Sequence, residues 1–420
     1  MKTISYHQKQ LYILCIILAV VLFSLCIQMD IVRYNTYYPE YGEYKKIISD
    51  IEMKLVEEWK ELRSKQTNLS NLGKILFLGT DEPVVNTTKS YQILVWKYGP
   101  TIERRLIKNF SKNWSDPFSN CPVKNCDITY KDEALSTADL VLFHLHRMKS
   151  SKELPSKRGK PGQIWAFITE ESAHNTFLSP NKGVTIKDYN GVFNWSMSYR
   201  MDSDIPVPYG RTILRKTPQP VEIKFEKQRN VLVAVMGSNC GGKNKRWDYV
   251  KQLEKHIKID KYGKCGTLKC PGHFTKDCPA IDKYLFYLSF ENSNCDEYIT
   301  EKVWWNAFHK NSIPIVMGAS VSSYKKILPP NSYINVDDFA NPASLARFLL
   351  RLNDTNEYLE YYQWKSHFEV LNEHGYFQSN VFHYCRVCQA LNYNDKKQKV
   401  YEDLQKDWNA KNVCYPAWNA

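Results

Sequence analysis

The 420-residue chain lacks internal repeats and low-complexity tracts, and it carries fewer acidic than basic residues. The absence of repeats excludes a solenoid or another repeat array. The 44 Asp and Glu residues against 57 Lys and Arg residues give a formal net charge of +13, which favours an anionic partner. A hydrophobic content of 43% supplies a sizeable core and excludes a disordered chain. The length predicts about two to three domains.

A long apolar run lies near the N-terminus. Residues 11–27 contain no charge, and extending the run to residue 29 adds only Gln28 as a polar residue. At about 1.5 Å per residue, a helix of this length just crosses the hydrocarbon core of a membrane. Lys2 and Lys9 precede the run and favour a cytosolic N-terminus. A cleaved signal peptide is the alternative, but no A-x-A site follows. We therefore expect a cytoplasmic tail over residues 1–10, a signal anchor over 11–29 and a stem over 30–72.

The sequence beyond this run has features of a lumenal chain. Six N-x-S/T triplets on one side of a single anchor indicate glycosylation. Ten of the twelve cysteines also lie beyond the run, where an oxidising lumen permits disulfides. These features argue against nucleic acid as the anionic partner. The predicted glycosylation sites are Asn68, Asn86, Asn109, Asn113, Asn194 and Asn353.

The body of the chain reads as two α/β units. Short apolar runs separated by helix-length gaps predict parallel strands, and a segment rich in proline and charge at residues 206–227 predicts a linker. We expect Rossmann-like domains over residues 73–220 and 221–391 that face a cleft, followed by a tail over 392–420. The predicted strands are residues 74–79, 91–97, 138–146 and 163–169 in the first unit, and 230–237, 284–290, 313–318 and 333–336 in the second.

The stretch FENSNCDEYITEKVWWNAF, residues 290–308, concentrates polar groups between a predicted strand and a predicted helix. Such a junction faces the ligand crevice of an α/β unit, and a helix N-terminus there favours phosphate. Lys302 adds a positive charge, whereas Glu301 and Asn292 suit sugar or ribose hydroxyls. The alternative is a capped helix with surface ion pairs.

Two further segments lie where predicted strands end. SNCGGKNKRWDYV, residues 238–250, fits a diphosphate by placement, although it matches neither a Walker loop nor G-x-G-x-x-G. Its Arg246 offers a planar fork for phosphate. In the first unit, Glu170 and Glu171 end the strand of residues 163–169 and are candidates for a general base. For the segment 238–250 the alternative is a basic loop exposed to solvent. For Glu170 and Glu171 the alternative is a pair of solvent-exposed carboxylates.

Two other patterns permit a metal but favour structural roles. Asp202 and Asp204 form a D-x-D triplet, a short pattern that is common by chance. A pattern that resembles a zinc knuckle with altered spacing is formed by Cys265, Cys270, His273 and Cys278. In an oxidising lumen we expect these cysteines to form disulfides instead. We also expect structural disulfides that tie the end of the chain to its first domain, with their connectivity left open, among Cys121, Cys126, Cys385 and Cys388.

These motifs together resemble the α1,3-fucosyltransferase family of inverting, GDP-fucose-dependent enzymes. The main match is FENSNCDEYITEKVWWNAFHKNSIPIVMG, residues 290–318. NWSMSYRMDSDIPVPYG, YINVDDFANPASLARFLLRLN and CRVCQA resemble further segments of the family, and the likeness spans roughly residues 74–391. The resemblance implies a GT-B fold, with two facing Rossmann-like domains and the donor site in the second.

The resemblance also implies roles for individual residues. Glu301 and Lys302 match the donor-site T-E-K motif, where Glu301 would act in catalysis by contacting fucose and Lys302 would contact the diphosphate. Glu171 matches the glutamate of an E-S-P stretch, the family's base, although Ala173 replaces the proline here. The remaining donor-pocket positions match Asn292, Tyr298 and Arg246.

The implied activity is transfer of fucose to the 3-hydroxyl of N-acetylglucosamine on glycoproteins or glycolipids at the Golgi membrane. No cofactor is obligatory and no metal ligand is assigned, while stimulation by Mg²⁺ or Mn²⁺ is compatible with this activity. A catalytically inactive, lumenal glycan-binding relative is the alternative, and a zinc-dependent nucleic-acid binder is a third hypothesis. The sequence leaves open whether the acceptor is a core, distal or antennal residue.

Overall fold

The computed structural model describes residues 39–418, except 87, 105, 107–115, 119, 178–183, 272–274 and 398, and only the backbone of residues 39–51. The predicted anchor, the glycosylation sites Asn109 and Asn113, and His273 lie outside the described residues. Among the helices that are described, none has the length and apolar character needed to cross a membrane. The described residues divide after Glu58, and the larger, compact unit begins at Trp59.

The described strands of the larger unit form two parallel sheets and a short antiparallel pair. The first sheet has the order β2-β1-β3-β4-β5-β6, the second has the order β12-β11-β10-β8-β9, and β13 pairs with β7. The strands are β1 Tyr91–Val95, β2 Cys126–Thr129, β3 Leu140–His144, β4 Ile164–Thr169, β5 Trp195–Ser198, β6 Ile205–Pro206, β7 Gly210–Leu214, β8 Val233–Met236, β9 Ile259–Tyr262, β10 Phe286–Phe290, β11 Ile313–Met317, β12 Ile334–Asn335 and β13 Phe368–Asn372.

Helices and apolar side chains cover these sheets, as parallel sheets require. The predicted α/β class is confirmed, and the two sheets have separate cores. The helices are α1 Pro39–Ser64, α2 Asn71–Leu78, α3 Gly99–Glu103, α4 Arg246–Leu253, α5 Glu301–Val303, α6 Val321–Ile327, α7 Pro342–Thr355, α8 His383–Tyr393, α9 Leu404–Asp407 and α10 Ala410–Val413. A π-helical turn, Trp304–His309, continues α5.

The strand predicted at residues 74–79 is wrong, because this segment belongs to helix α2. The Ser70 side chain caps the helix by accepting from the Gly73 N–H, and Gly79 ends it with φ 69°. Leu72 and Leu76, four residues apart, are both buried on one face. A short apolar run fits a strand or a buried helix equally well. Here the capping residues Ser70 and Gly79 favour the helix.

The predicted linker and stem both contain residues of the compact unit. Within residues 206–227, β7 pairs in antiparallel register with β13. Gly210 in β7 leaves no space for a larger residue, since an added Cβ would lie 2.4 Å from the Trp304 ring. From the predicted stem, the buried Trp59 donates from Nε1 to the Leu328 carbonyl over 3.1 Å. Parts of both segments therefore pack against the rest of the chain, while the predicted domain boundaries stay predictions.

The end of the chain packs on the first sheet. Helix α8, placed by prediction in the second domain, contributes its apolar side chains to the core of the first sheet. The expected disulfides join it there, between Cys121 and Cys385 and between Cys126 and Cys388. The predicted tail is also packed, since Leu404 is fully buried and Cys414 is bonded to Cys295.

Candidate active site

Glu170 and Glu171 follow β4 directly, but their side chains enter different surroundings. The Glu170 side chain is buried, whereas Glu171 is only partly buried. Side chains of an extended segment alternate in direction, so one carboxylate of the pair turns into the protein and the other turns toward the segment that follows β10. The position of Glu171 is the one that a base acting on a bound substrate requires.

Residues of the second sheet's connections hold the Glu171 carboxylate. Its Oε2 accepts from the Tyr298 hydroxyl over 2.9 Å and from Asn292 Nδ2 over 3.3 Å. Burial, and then the charge of Glu171, raise the pKa of Tyr298 well above its ordinary value, so this hydroxyl remains a donor. Three residues predicted for the site, one after β4 and two from the stretch 290–308, are thus in direct contact.

Further polar contacts join the two sides of the cleft around this carboxylate. Ser293 donates to Ser172 across 2.6 Å, and Asn175 Nδ2 donates to Asn292 Oδ1 across 3.0 Å. Ser172 and Ser293 are fully buried. We call these two contacts, together with the Glu171 contacts, the seam. The seam fixes the loop after β4 against the loop after β10.

Lys302 lies in a compact polar cluster on the second side. Its Nζ donates to Glu291 Oε2 over 2.9 Å, to Thr300 Oγ1 over 2.7 Å and to Glu301 Oε1 over 3.2 Å. Burial alone would lower the pKa of Lys302, but Glu291 and Glu301 raise it above its ordinary value, so the ammonium stays charged. The cluster therefore supplies a fixed cation beside the seam.

Glu291 and Thr300 are the functional candidates that the sequence analysis left without a role. Glu291 is 1% exposed, and its Oε1 accepts from both the N–H and the hydroxyl of Thr300, over 2.8 and 2.9 Å. The Thr300 N–H, at the start of α5, is thereby used within the protein. A carboxylate placed directly after the buried strand β10 was the available signal for a partner of Lys302.

Arg246 occupies a different position from the one expected of a phosphate fork. It is 6% exposed, and it donates to the carbonyls of Asn239, Gly241 and Phe290 over 2.7, 3.1 and 2.9 Å. The guanidinium thus holds the basic loop of residues 238–245 against the end of β10. Its predicted contact with a diphosphate stays a prediction, while Lys243 and Lys245 of the same loop are exposed.

The other predicted metal patterns serve structure. Asp202 pairs with Arg200 over 2.5 Å, and Asp204 accepts from the Ser196 N–H over 2.8 Å and from the Tyr401 hydroxyl over 2.7 Å. The cysteines of the knuckle-like pattern are oxidised, because Cys265 bonds Cys240 and Cys270 bonds Cys278. The preferred disulfide reading is therefore confirmed, and those thiols are not available to zinc.

The sequon asparagines differ in accessibility. Asn68 and Asn86 are exposed, and Asn353 is partly exposed. Asn194 is 8% exposed; its Oδ1 accepts from the Trp165 N–H over 3.0 Å and its Nδ2 donates to the Lys399 carbonyl over 2.8 Å. A glycan on Asn194 Nδ2 would displace that hydrogen bond from a packed interior, and the glycan at this position stays a prediction.

The arrangement defines a class of enzyme. A partly exposed carboxylate at the end of a parallel strand contacts Asn292 and Tyr298 of the motif that also carries the Lys302 cluster, which suits group transfer with a base and a charge stabiliser. Two family models match the chain: "Fucosyltransferase, N-terminal" over residues 88–210 and "Glycosyltransferase family 10 (fucosyltransferase) C-term" over residues 226–408. The chain belongs to the α1,3-fucosyltransferase family, as the sequence motifs predicted, and is a glycosyltransferase.

Curated relatives agree with this membership. Glycoprotein 3-alpha-L-fucosyltransferase A of Drosophila melanogaster is 34% identical over 304 residues, which cover 70% of this chain and 57% of that protein. Alpha-(1,3)-fucosyltransferase 7 of Rattus norvegicus is 33% identical, with 69% of this chain and 74% of that protein covered. The 3-galactosyl-N-acetylglucosaminide 4-alpha-L-fucosyltransferase FUT3 of Bos taurus is 36% identical, with 74% and 80% covered.

A comparison with solved structures found a similarity to a crystal structure of an α1,3-fucosyltransferase with GDP-fucose. It is 16% identical to this chain, with a TM-score of 0.45, and the alignment covers 78% of this chain and 98% of that one.

Proposed function

We propose that this protein transfers L-fucose from GDP-β-L-fucose, with inversion, to the 3-hydroxyl of N-acetylglucosamine in N-glycans or related glycoconjugates. Family membership supports the donor and the reaction class. The observation that carries the proposal is the contact of Glu171 with Tyr298 and Asn292, which places a carboxylate of the first side at the donor-side motif of the second.

Glu171 acts as the general base in this proposal. Among the described residues, its side-chain hydrogen bonds fall on Oε2, so Oε1 accepts the proton of the incoming hydroxyl. The acceptor oxygen forms a bond to the anomeric carbon of fucose as its proton passes to Glu171. A base on the face opposite to the leaving group gives inversion, as in inverting glycosidases.

The leaving side receives the electron pair of the breaking bond. As the bond between the anomeric carbon and the phosphate oxygen breaks, negative charge grows on GDP and positive charge grows on the sugar ring. The Lys302 ammonium stabilises the diphosphate, and Glu301 contacts the fucose. Lys302 is oriented before substrate arrives, because Glu291, Thr300 and Glu301 hold its Nζ.

The proposal extends to architecture and location. The two parallel sheets on either side of the seam are consistent with a GT-B arrangement, with the acceptor at the first sheet and the donor at the second. We infer a single-pass type II protein of the Golgi membrane, anchored by residues 11–29, with its body in the lumen. The supporting observations are the apolar run and the use of all ten downstream cysteines in disulfides.

A transfer assay on the full chain tests the activity. The protein is incubated with GDP-fucose and a panel of N-glycans and lactosamine glycans that offer core, distal and antennal N-acetylglucosamine. Linkage analysis and NMR of the product are expected to give α-linked fucose at the 3-hydroxyl. Glu133, an exposed glutamate in the connection between β2 and β3, provides a matched Glu133→Gln control, which should keep full activity.

Two results would contradict the proposed activity. GDP-fucose binding without transfer or hydrolysis, across the whole panel, would indicate the glycan-binding alternative. Fucose attached only to the 4-hydroxyl would change the linkage specificity. A parallel assay with and without added Mg²⁺ or Mn²⁺ addresses these two ions: activity should persist without either ion, and each should act only as a stimulant.

A further inference from the structure

Glu170, the neighbour of the proposed base, lies in a buried histidine cluster. Its Oε1 is 2.8 Å from His374 Nε2 and 2.9 Å from His383 Nε2. One ligand atom from each of these three residues lies within 4.8 Å of the other two. Glu170, His374 and His383 are 4%, 2% and 1% exposed. We call these three residues the histidine–glutamate cluster.

A fourth side chain lies beside the cluster. His144, at the end of β3, places its Nε2 3.7 Å from Glu170 Oε2, and it is 2% exposed. A buried carboxylate needs a compensating positive charge, which either a protonated imidazole or a divalent cation supplies. Imidazole nitrogens with one carboxylate are ligands that Zn²⁺ prefers, whereas Mg²⁺ and Ca²⁺ prefer oxygen.

The backbone around the cluster is held in an unusual conformation. Between His374 and His383 the chain contains Phe377 with φ 57° and Gln378 with φ 69°, two non-glycine residues in the left-handed region. Such conformations persist only where the surroundings fix them. A metal bound to both histidines would clamp the two ends of this loop to the end of β4.

We propose that Glu170, His374 and His383 bind a structural zinc ion, with His144 as the fourth ligand. The ligand atoms of Glu170, His374 and His383 already converge, and their present contacts of 2.8–2.9 Å would lengthen only slightly around a metal. His144 would have to move its Nε2 from its position 3.7 Å from the other Glu170 oxygen to complete the set. All four side chains are sealed from solvent, as in closed structural sites rather than open catalytic ones. The D-x-D triplet and the knuckle-like cysteines, which are the metal patterns visible in the sequence, lie elsewhere.

The zinc ion also positions the base. The Tyr209 ring stacks on His374 with centroids 3.8 Å apart, and its hydroxyl donates to the Glu170 carbonyl over 2.9 Å. The segment that presents Glu171 is therefore tied to the cluster through both the side chain and the carbonyl of Glu170. Glu170, His374 and His383 are positioning residues, since nothing places them in contact with substrate.

Metal analysis of the full chain tests the site. The protein is purified without a polyhistidine tag from a secretory host supplied with zinc, and its metals are measured by inductively coupled plasma mass spectrometry. We expect about one zinc per chain, the occupancy of a closed structural site. Replacement by Co²⁺ should give the visible absorption bands of tetrahedral coordination.

Substitutions assign the metal to these residues. His374→Ala and His383→Ala should each lose most of the bound zinc, and Glu170→Gln should weaken its retention during dialysis against a chelator. His256, an exposed histidine after α4, gives a His256→Ala control that should keep the zinc. If a cluster variant does not fold, Zn²⁺ uptake by metal-free wild-type protein, followed by calorimetry, decides instead.

The outcomes separate this site from the proposed transferase activity. Folded wild-type protein that contains no zinc and takes up none would overturn the site, and Glu170 would then be charge-compensated by protonated histidine. Equal zinc in wild type and in both folded histidine variants would also overturn it. Zinc bound by a chain that transfers no fucose would support the site and contradict the proposed function alone.

Discussion

Glu171 takes its side-chain hydrogen bonds from Tyr298 and Asn292, which belong to the opposite side of the cleft. Lys302, by contrast, is held by Glu291, Thr300 and Glu301 within its own motif. The base is therefore positioned only when the seam is closed, whereas the cation is positioned by the second side alone. Loss of the seam should affect the base first.

The largest expected effect is on the base itself. Glu171→Gln keeps the size of the side chain but removes its capacity to take a proton, so transfer should fall by roughly 10²- to 10⁴-fold. GDP-fucose affinity should change little, because the cation cluster is intact. Steady-state kinetics together with donor titration measure both quantities. Normal transfer by the purified variant would contradict the assignment.

Lys302→Ala should affect chemistry and folding together. Transfer should drop by about 10²-fold through loss of charge stabilisation. The buried Glu291 carboxylate would also lose its cation, which costs about 3–5 kcal/mol of stability when one member of a buried pair is removed. Kinetics and denaturant unfolding measure the two effects.

A double variant separates these two consequences. Glu291→Gln with Lys302→Ala removes both charges, so stability should partly recover while transfer stays low. Recovery of transfer in the double variant would show that Lys302 acts only by neutralising Glu291.

Tyr298→Phe tests whether the seam positions the base. Removing the hydroxyl that donates to Glu171 should lower kcat by about tenfold, the scale of one hydrogen bond to a charged group. Tyr199 packs against Tyr298 with ring centroids 5.1 Å apart, so Tyr199→Phe is a matched control that should keep kcat. Equal losses in both variants would point to packing rather than to the hydroxyl.

The smallest expected effect on transfer comes from Arg246. Lysine cannot reproduce three donations from a planar fork, so Arg246→Lys should lower stability by about 2 kcal/mol through the lost hydrogen bonds. The donor KM should rise only a few-fold, because the structure uses this side chain to hold the basic loop. A loss of donor binding without a loss of stability would restore the predicted phosphate contact as its main role.

Much of the architecture was predictable because buried parallel strands are short, apolar and rich in β-branched residues. The runs at β1, β3, β4, β8, β10 and β11 were assigned on that basis and are strands. Helix α2 was not predictable in this way, since its apolar pattern is too short to distinguish the two periods. The position of α8 on the first sheet depends on contacts with residues more than 250 positions earlier.

The sequence by itself determined the class of fold, the polar motif after β10 and the oxidising chemistry of the cysteines, because these follow from residue type and local order. Tertiary structure alone decided that Glu171 rather than Glu170 contacts Asn292 and Tyr298, and which cysteines form disulfides. It also decided which carbonyls accept hydrogen bonds from the Arg246 guanidinium. It also brought His374 and His383 to Glu170, a contact between residues about two hundred positions apart in the chain. Local patterns fix what a segment can form, whereas burial and hydrogen-bond partners depend on segments that meet only in the folded chain.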